Sequence, residues 1–140
     1  MIYIDTSALA AIFFRESNGT LVFGQIIAAS PRKLMVSSWA LTEMASVGGI
    51  KERVGAVDAA TRKQALALFE RVAQSRLGIE EVVPADFRVA ARLIEQAHGL
   101  RAGDALHLAI AQRFGADLAT LDRRLGAAAV ACGTTLFPIG

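Results

Sequence analysis

The chain has 140 residues, about one domain by length, and that is enough to bury one core but not two. Composition is 54% apolar and mean hydropathy is +0.42. The longest charge-free runs, between Glu16 and Arg32 and after Arg124, still fall short of the roughly 20 apolar residues a spanning helix needs, which excludes a membrane span and assigns the apolar excess to a dimer face or a partner-binding groove. The net charge of +2 permits nucleic-acid binding without demanding it, and the single cysteine, Cys132, excludes an intrachain disulfide or a cysteine metal cluster.

The opening Met1-Ile2-Tyr3-Ile4-Asp5 has no basic n-region and places an acid where an h-region would run, so no signal peptide is read. With one cysteine, this gives the expectation of a cytoplasmic protein. Residues 2–5 read as a short buried strand, and Thr6 or Ser7 as the cap of a helix to about Arg15. A helix over Thr20–Ala29 ends at Pro31, and Lys33–Ser37 reads as a strand. The helix from Ser38 carries Trp39, Leu41, Glu43 and Ala45. Gly48-Gly49 predicts a kink or early end there, at about 1 kcal/mol per glycine relative to alanine.

Asp58 caps the next predicted helix, to about Arg76, with Ala65, Leu66, Phe69, Val72 and Ala73 at helical spacing. Glu80–Val83 reads as a strand. Pro84 suits the first turn of a helix through Gln96, with Phe87, Ala90, Ala91 and Ile94 on its inner face, and His98-Gly99 ends it. Gly103-Asp104 opens a helix to Phe114-Gly115. Leu118–Leu121 is a strand, Asp122 starts a helix ending near Gly133, and Thr135–Phe137 reads as a last strand. Alternating strands and helices imply an α/β fold with a mostly parallel sheet covered on both faces.

Ligands bind such sheets beyond the carboxyl ends of the strands. Asp5 and Asp122 close two predicted strands, Asp104 sits at a helix N-terminus facing the same edge, and Glu43 lies about one turn into the helix after Lys33–Ser37. Clustered carboxylates repel and raise each other's pKa. A divalent cation removes that cost, and an all-carboxylate set suits Mg2+ or Mn2+ rather than zinc. Each acid also has a structural reading: Asp5, Asp104 and Asp122 could cap helices. Glu43, on a helix that looks buried, needs a partner or a metal. The other nine acids show no comparable placement, and Glu16, Glu52, Glu70 and Glu95 sit among polar neighbours. Arg101, Arg123 and Arg124 flank the predicted edge and are candidates for RNA phosphates.

Four segments resemble the motifs of PIN-domain nucleases: Ile4-Asp5-Thr6-Ser7-Ala8-Leu9, Leu41-Thr42-Glu43-Met44-Ala45-Ser46, Asp104-Ala105-Leu106-His107-Leu108-Ala109 and Thr120-Leu121-Asp122-Arg123-Arg124-Leu125. Their order and spacing match across essentially the whole chain, read as one PIN domain over residues 1–140. Within that superfamily the chain looks most like the VapC toxins of toxin–antitoxin pairs. The resemblance implies a Rossmann-like three-layer α/β/α sandwich. It also implies a Mg2+- or Mn2+-dependent endoribonuclease that leaves a 3′-hydroxyl and a 5′-phosphate, and a homodimer restrained by a VapB-like antitoxin in a heterotetramer or larger assembly. It carries the metal-binding roles to Asp5, Glu43 and Asp104, and a more variable one to Asp122. Thr6 and Thr120 become hydroxyls that help hold water or metal, and His107 a packing or hydrogen-bonding residue. Gly48-Gly49 departs from the family's continuous helix.

A receiver-type phosphoacceptor wants an early acidic pair and a late lysine, whereas the lysines here are Lys33, Lys51 and Lys63. A haloacid-dehalogenase-type phosphatase wants an acid where Ser7 stands. A PIN nuclease of RNA processing and a non-catalytic RNA-binding protein of the same fold remain as alternatives to the toxin.

Overall fold

The computed structural model describes residues 1–96 and 99–140; His98, expected at a helix end, lies outside the described residues. The elements run β1 (Ile2–Ile4), α1 (Thr6–Phe13), α2 (Gly19–Ala28), β2 (Leu34–Ser37), α3 (Ser38–Arg53), α4 (Ala59–Arg76), β3 (Gly78–Glu80), α5 (Pro84–Gln96), α6 (Ala102–Arg113), β4 (Asp117–Ala119) and α7 (Arg123–Ala131). The four strands are parallel throughout, in the order β3-β2-β1-β4. Parallel neighbours need long crossovers, so helices cover both faces, and the central strand β1 is apolar and buried on both sides. In β1 the period of two divides the core. Tyr3 packs with residues of α5, α6 and α7, while Ile2 and Ile4 pack with residues of α1 to α4. The result is a three-layer α/β/α sandwich.

Strand order positions the site. The chain moves outward from β1 through β2 to β3, then returns to pair β4 on the other side of β1. The winding therefore reverses between β1 and β4, where the carboxyl ends of an α/β sheet open a crevice. Ile4 is in register with Ala119, so Asp5 and Thr120 leave the sheet side by side.

Several sequence expectations shift. Asp5 caps α1 in place of Thr6 or Ser7, its Oδ1 accepting from the Ala8 N–H at 3.1 Å. The Gly48-Gly49 break does not occur, and α3 is continuous. A Cβ on Gly48 would lie 3.1 Å from Arg62 Cγ and 3.2 Å from Phe14 Cζ, so close packing overrides the poor propensity. The Glu80–Val83 strand is instead Gly78–Glu80, and Leu118–Leu121 shortens to Asp117–Ala119. Lys33 falls just outside β2. Thr135–Phe137 forms no named strand, only one parallel bridge from Leu136 to Leu118.

The inner face of α5 is also rotated from expectation. Asp86, Ala90 and Leu93 are buried, whereas Phe87 is 58% exposed. The cause is Asp86, which forms a bidentate pair with Arg113 at 2.8 and 2.9 Å and accepts the Val83 N–H at 2.9 Å. Satisfying this buried acid turns Phe87 and Ile94 outward. Glu16 and Glu52 are likewise paired, with Lys51 and Arg62. No helix of the described residues is long and apolar enough to cross a membrane.

Candidate active site at the carboxyl edge of the sheet

Asp5 is only 2% exposed. Its Oδ1 accepts from Ser7 Oγ at 2.7 Å as well as from the Ala8 N–H, and its Oδ2 accepts from Thr120 Oγ1 at 2.5 Å. Ser7 Oγ in turn accepts the Leu121 N–H at 2.9 Å, and Thr120 Oγ1 accepts the Asp122 N–H at 3.0 Å. Two hydroxyls thus lock the ends of β1 and β4 together around one carboxylate. Burial pushes the Asp5 carboxyl above its ordinary range, against the pull of His107 and the three donors.

Glu43 stands one turn into α3. Its Oε1 accepts from Thr6 Oγ1 at 2.7 Å and pairs closely with His107 Nε2. His107 is 1% exposed, and its Nδ1 shares a hydrogen bond with the Tyr3 hydroxyl at 2.7 Å, which donates onward to Ser37 Oγ at 2.8 Å. Burial alone would raise the Glu43 pKa, but the bond and charge of His107 and the Thr6 hydroxyl hold it below the usual range. All these bonds fall on Oε1. Oε2 points toward Gly103, where an added Cβ would approach to 2.8 Å. Glycine at 103 therefore admits the Glu43 carboxylate to the first turn of α6.

Asp104 lies in that first turn but does not cap the helix; Arg101 occupies the cap position without a side-chain bond. Burial raises the Asp104 pKa first, then the charges of Asp122, Glu43 and Asp5, with His107 opposing. Asp122 caps α7, its Oδ1 accepting the N–H groups of Arg124 and Leu125 at 2.8 and 2.9 Å. Arg101, Arg123 and Arg124 line a shallow pocket with Asp104 and Asp122. The four acids thus gather at one edge, close enough for Asp104 to feel the other three. Asp5 and Asp122 serve as caps as well.

Among the described residues no lysine or arginine side chain bonds any of the four. Neither do three His, Cys, Asp or Glu side chains already grip one point in space. A Mg2+-like ion needs only one or two carboxylates and retains several waters. An all-oxygen, mutually repelling donor set therefore fits such a cation in chemistry. Ser7, Tyr3, Ser37 and Gly103 were missed from sequence. A hydroxyl two residues after Asp5, a tyrosine in a wholly buried strand and a glycine beside Asp104 were the available signals.

The PIN-domain family model matches residues 2–131. The chain belongs to the PIN-domain family. No curated protein sequence matches this PIN domain. Among solved structures it is similar to VapC20 of Mycobacterium tuberculosis, a sarcin-ricin-loop-cleaving toxin. That match has a TM-score of 0.69 and 18% identity, covering 91% of this chain and 95% of the other. It is similar to VapBC2 of Rickettsia felis bound to a fragment of promoter DNA, with a TM-score of 0.70 and 17% identity over 100% of both chains. FitAcB of Neisseria gonorrhoeae matches at a TM-score of 0.69 and 17% identity, over 99% of this PIN domain and 97% of that chain. At these identities the likeness supports the fold.

Proposed function

We propose that the protein is a divalent-cation-dependent endoribonuclease, the toxin of a VapBC-type pair. The observation that carries this reading is the gathering of Asp5, Glu43, Asp104 and Asp122 at the switch point with no lysine or arginine side chain bonded to any of them among the described residues. Asp5, Asp104 and the unbonded Oε2 of Glu43 are the core oxygens to hold Mg2+ or Mn2+, and Asp122 joins them directly or through water. When bound, the cation supplies Lewis acidity, for activating a water and for offsetting charge on the phosphate.

The chain's own residues do the rest. Ser7 and Thr120 keep the Asp5 carboxylate from rotating, and Thr6 and His107 fix one oxygen of Glu43, so the acids are pre-set rather than ordered by substrate. Arg101, Arg123 and Arg124 are exposed around the acids and draw in the RNA backbone. Water adds at phosphorus, the bond to the 3′-oxygen breaks, and the products carry a 3′-hydroxyl and a 5′-phosphate.

The antitoxin partner has its own support. Phe13, Phe23, Ile27 and Leu77 line an apolar groove among α1, α2 and α4, and Phe23 and Ile27 are half exposed. Exposed apolar grooves of this kind mark partner sites. Purified protein is expected to cut structured RNA with Mg2+ or Mn2+ and to stop when chelator is added; cleavage that persists in chelator overturns the mechanism. Expression alone is expected to arrest growth, with relief from a small protein encoded beside the gene. Toxicity unchanged by that neighbour would favour a PIN nuclease of RNA processing.

A further inference from the structure

Trp39 Nε1 is the only buried side-chain nitrogen or oxygen among the described residues without a hydrogen bond. A buried N–H with no acceptor is costly enough to require a reason. The indole packs against the apolar cluster beneath α5 to α7. That explains the ring but not the nitrogen, because phenylalanine would pack without stranding a donor.

Its position supplies the reason. Trp39 precedes Glu43 by one helical turn, so the two side chains share a face of α3. Both converge on Gly103. A Cβ there would lie 2.8 Å from Glu43 Oε2 and 3.4 Å from Trp39 Nε1. Thr6 and His107 spend their bonds on Oε1, leaving Oε2 without one among the described residues. The stranded donor and the unbonded acceptor therefore both border Gly103, at a spot too crowded for a Cβ. A small swing of the carboxylate brings them together.

We propose that the Trp39 indole N–H holds Glu43 Oε2 at the acidic edge, making Trp39 a positioning residue for the cleavage reaction. The inference rests on the cation-dependent nuclease reading above. With Oε1 fixed by Thr6 and His107, a second anchor on the other oxygen sets the plane of the carboxylate, and so the direction in which it meets a cation. Outer partners of this kind orient metal-binding carboxylates elsewhere in proteins.

The chain has one tryptophan, so growth on benzothienylalanine replaces one N–H with a sulfur that cannot donate, in a ring of similar shape. Mn2+ affinity, read from the spectrum of the free ion, is expected to fall about 10- to 100-fold, the range for outer-shell partners. The turnover number falls with it and KM for RNA stays. Trp39→Phe is expected to reproduce the loss. Unchanged Mn2+ affinity in both proteins overturns the proposal, whereas a wild-type protein that neither binds Mn2+ nor cuts RNA overturns the nuclease reading instead. The single indole resonance in the nitrogen–proton spectrum tests the contact without reference to catalysis. It is expected to move on Glu43→Gln, and a resonance that stays in place overturns the proposal whatever the activity.

Discussion

Asp86 and the acids at the carboxyl edge are two solutions to the same problem. Both place carboxylates out of water. Asp86, 2% exposed, receives a bidentate arginine and a backbone N–H, the ordinary way to keep a buried charge. Asp5 is buried just as deeply but receives only neutral donors, and Asp104 faces three other acids. The same chain thus gives one acid a full arginine partner and, among the described residues, bonds no lysine or arginine to the other four, of which Glu43 alone has a histidine. Such repulsion at the switch point is what the proposed cation would relieve, whereas the Asp86 pair ties α5 to the end of α6.

That contrast can be broken from either side. The largest expected effect is Arg113→Ala, which strands a buried acid. Stability is expected to drop by about 3 kcal/mol, the lower end for breaking a buried pair because Arg113 is partly exposed. Cleavage per folded molecule should persist, and denaturant melts with active-site titration separate the two. Asp104→Asn has the opposite signature: RNA cleavage falls by about 100-fold or more, beyond what outer partners cost, while thermal stability holds or rises because a repelling charge is gone.

Gly103→Ala lies between. Alanine favours the helix by up to about 1 kcal/mol, but its Cβ meets Glu43 Oε2, whose carboxylate Thr6 and His107 hold, so gain and cost oppose and melts should change little. Displacing that carboxylate should still reduce cleavage about tenfold, within the outer-partner range.

The smallest effect is on pH. Asp5 and Asp104 have raised pKa values in the folded state, so the folded protein takes up their protons before the unfolded chain does. Between those raised values and the ordinary carboxylate range near 4, acidification should therefore add stability in the metal-free protein. Glu43, held low, contributes stability above its unfolded pKa and loses it as pH falls through its folded value. Urea melts from neutral pH downward are expected to show a slight rise and then a fall, and Asp104→Asn should flatten the rise.

The fold was largely legible because each strand and helix is punctuated by its own chemistry. The apolar run before Asp5, Pro84 at a helix start and Asp58 as a cap all lie where local rules put them. The four acids were legible for the same reason, since the ends of parallel strands share an edge. What escaped depends on tertiary contacts. Gly48 reads as a helix breaker until Arg62 and Phe14 close over it. Phe87 reads as core until Asp86 claims the inner face. Ser7, Tyr3 and Gly103 acquire roles only when segments 34 to 114 residues apart meet, and periodicity carries no record of such meetings.

The most direct test of the acidic edge is thermal unfolding of the wild type and Asp104→Asn, each with and without Mn2+. The wild type is expected to melt higher with Mn2+, while Asp104→Asn melts at or above the metal-free wild type and responds little to the ion. A wild-type melting temperature indifferent to Mn2+, or an equal response in Asp104→Asn, would contradict the reading of these carboxylates as a cation site.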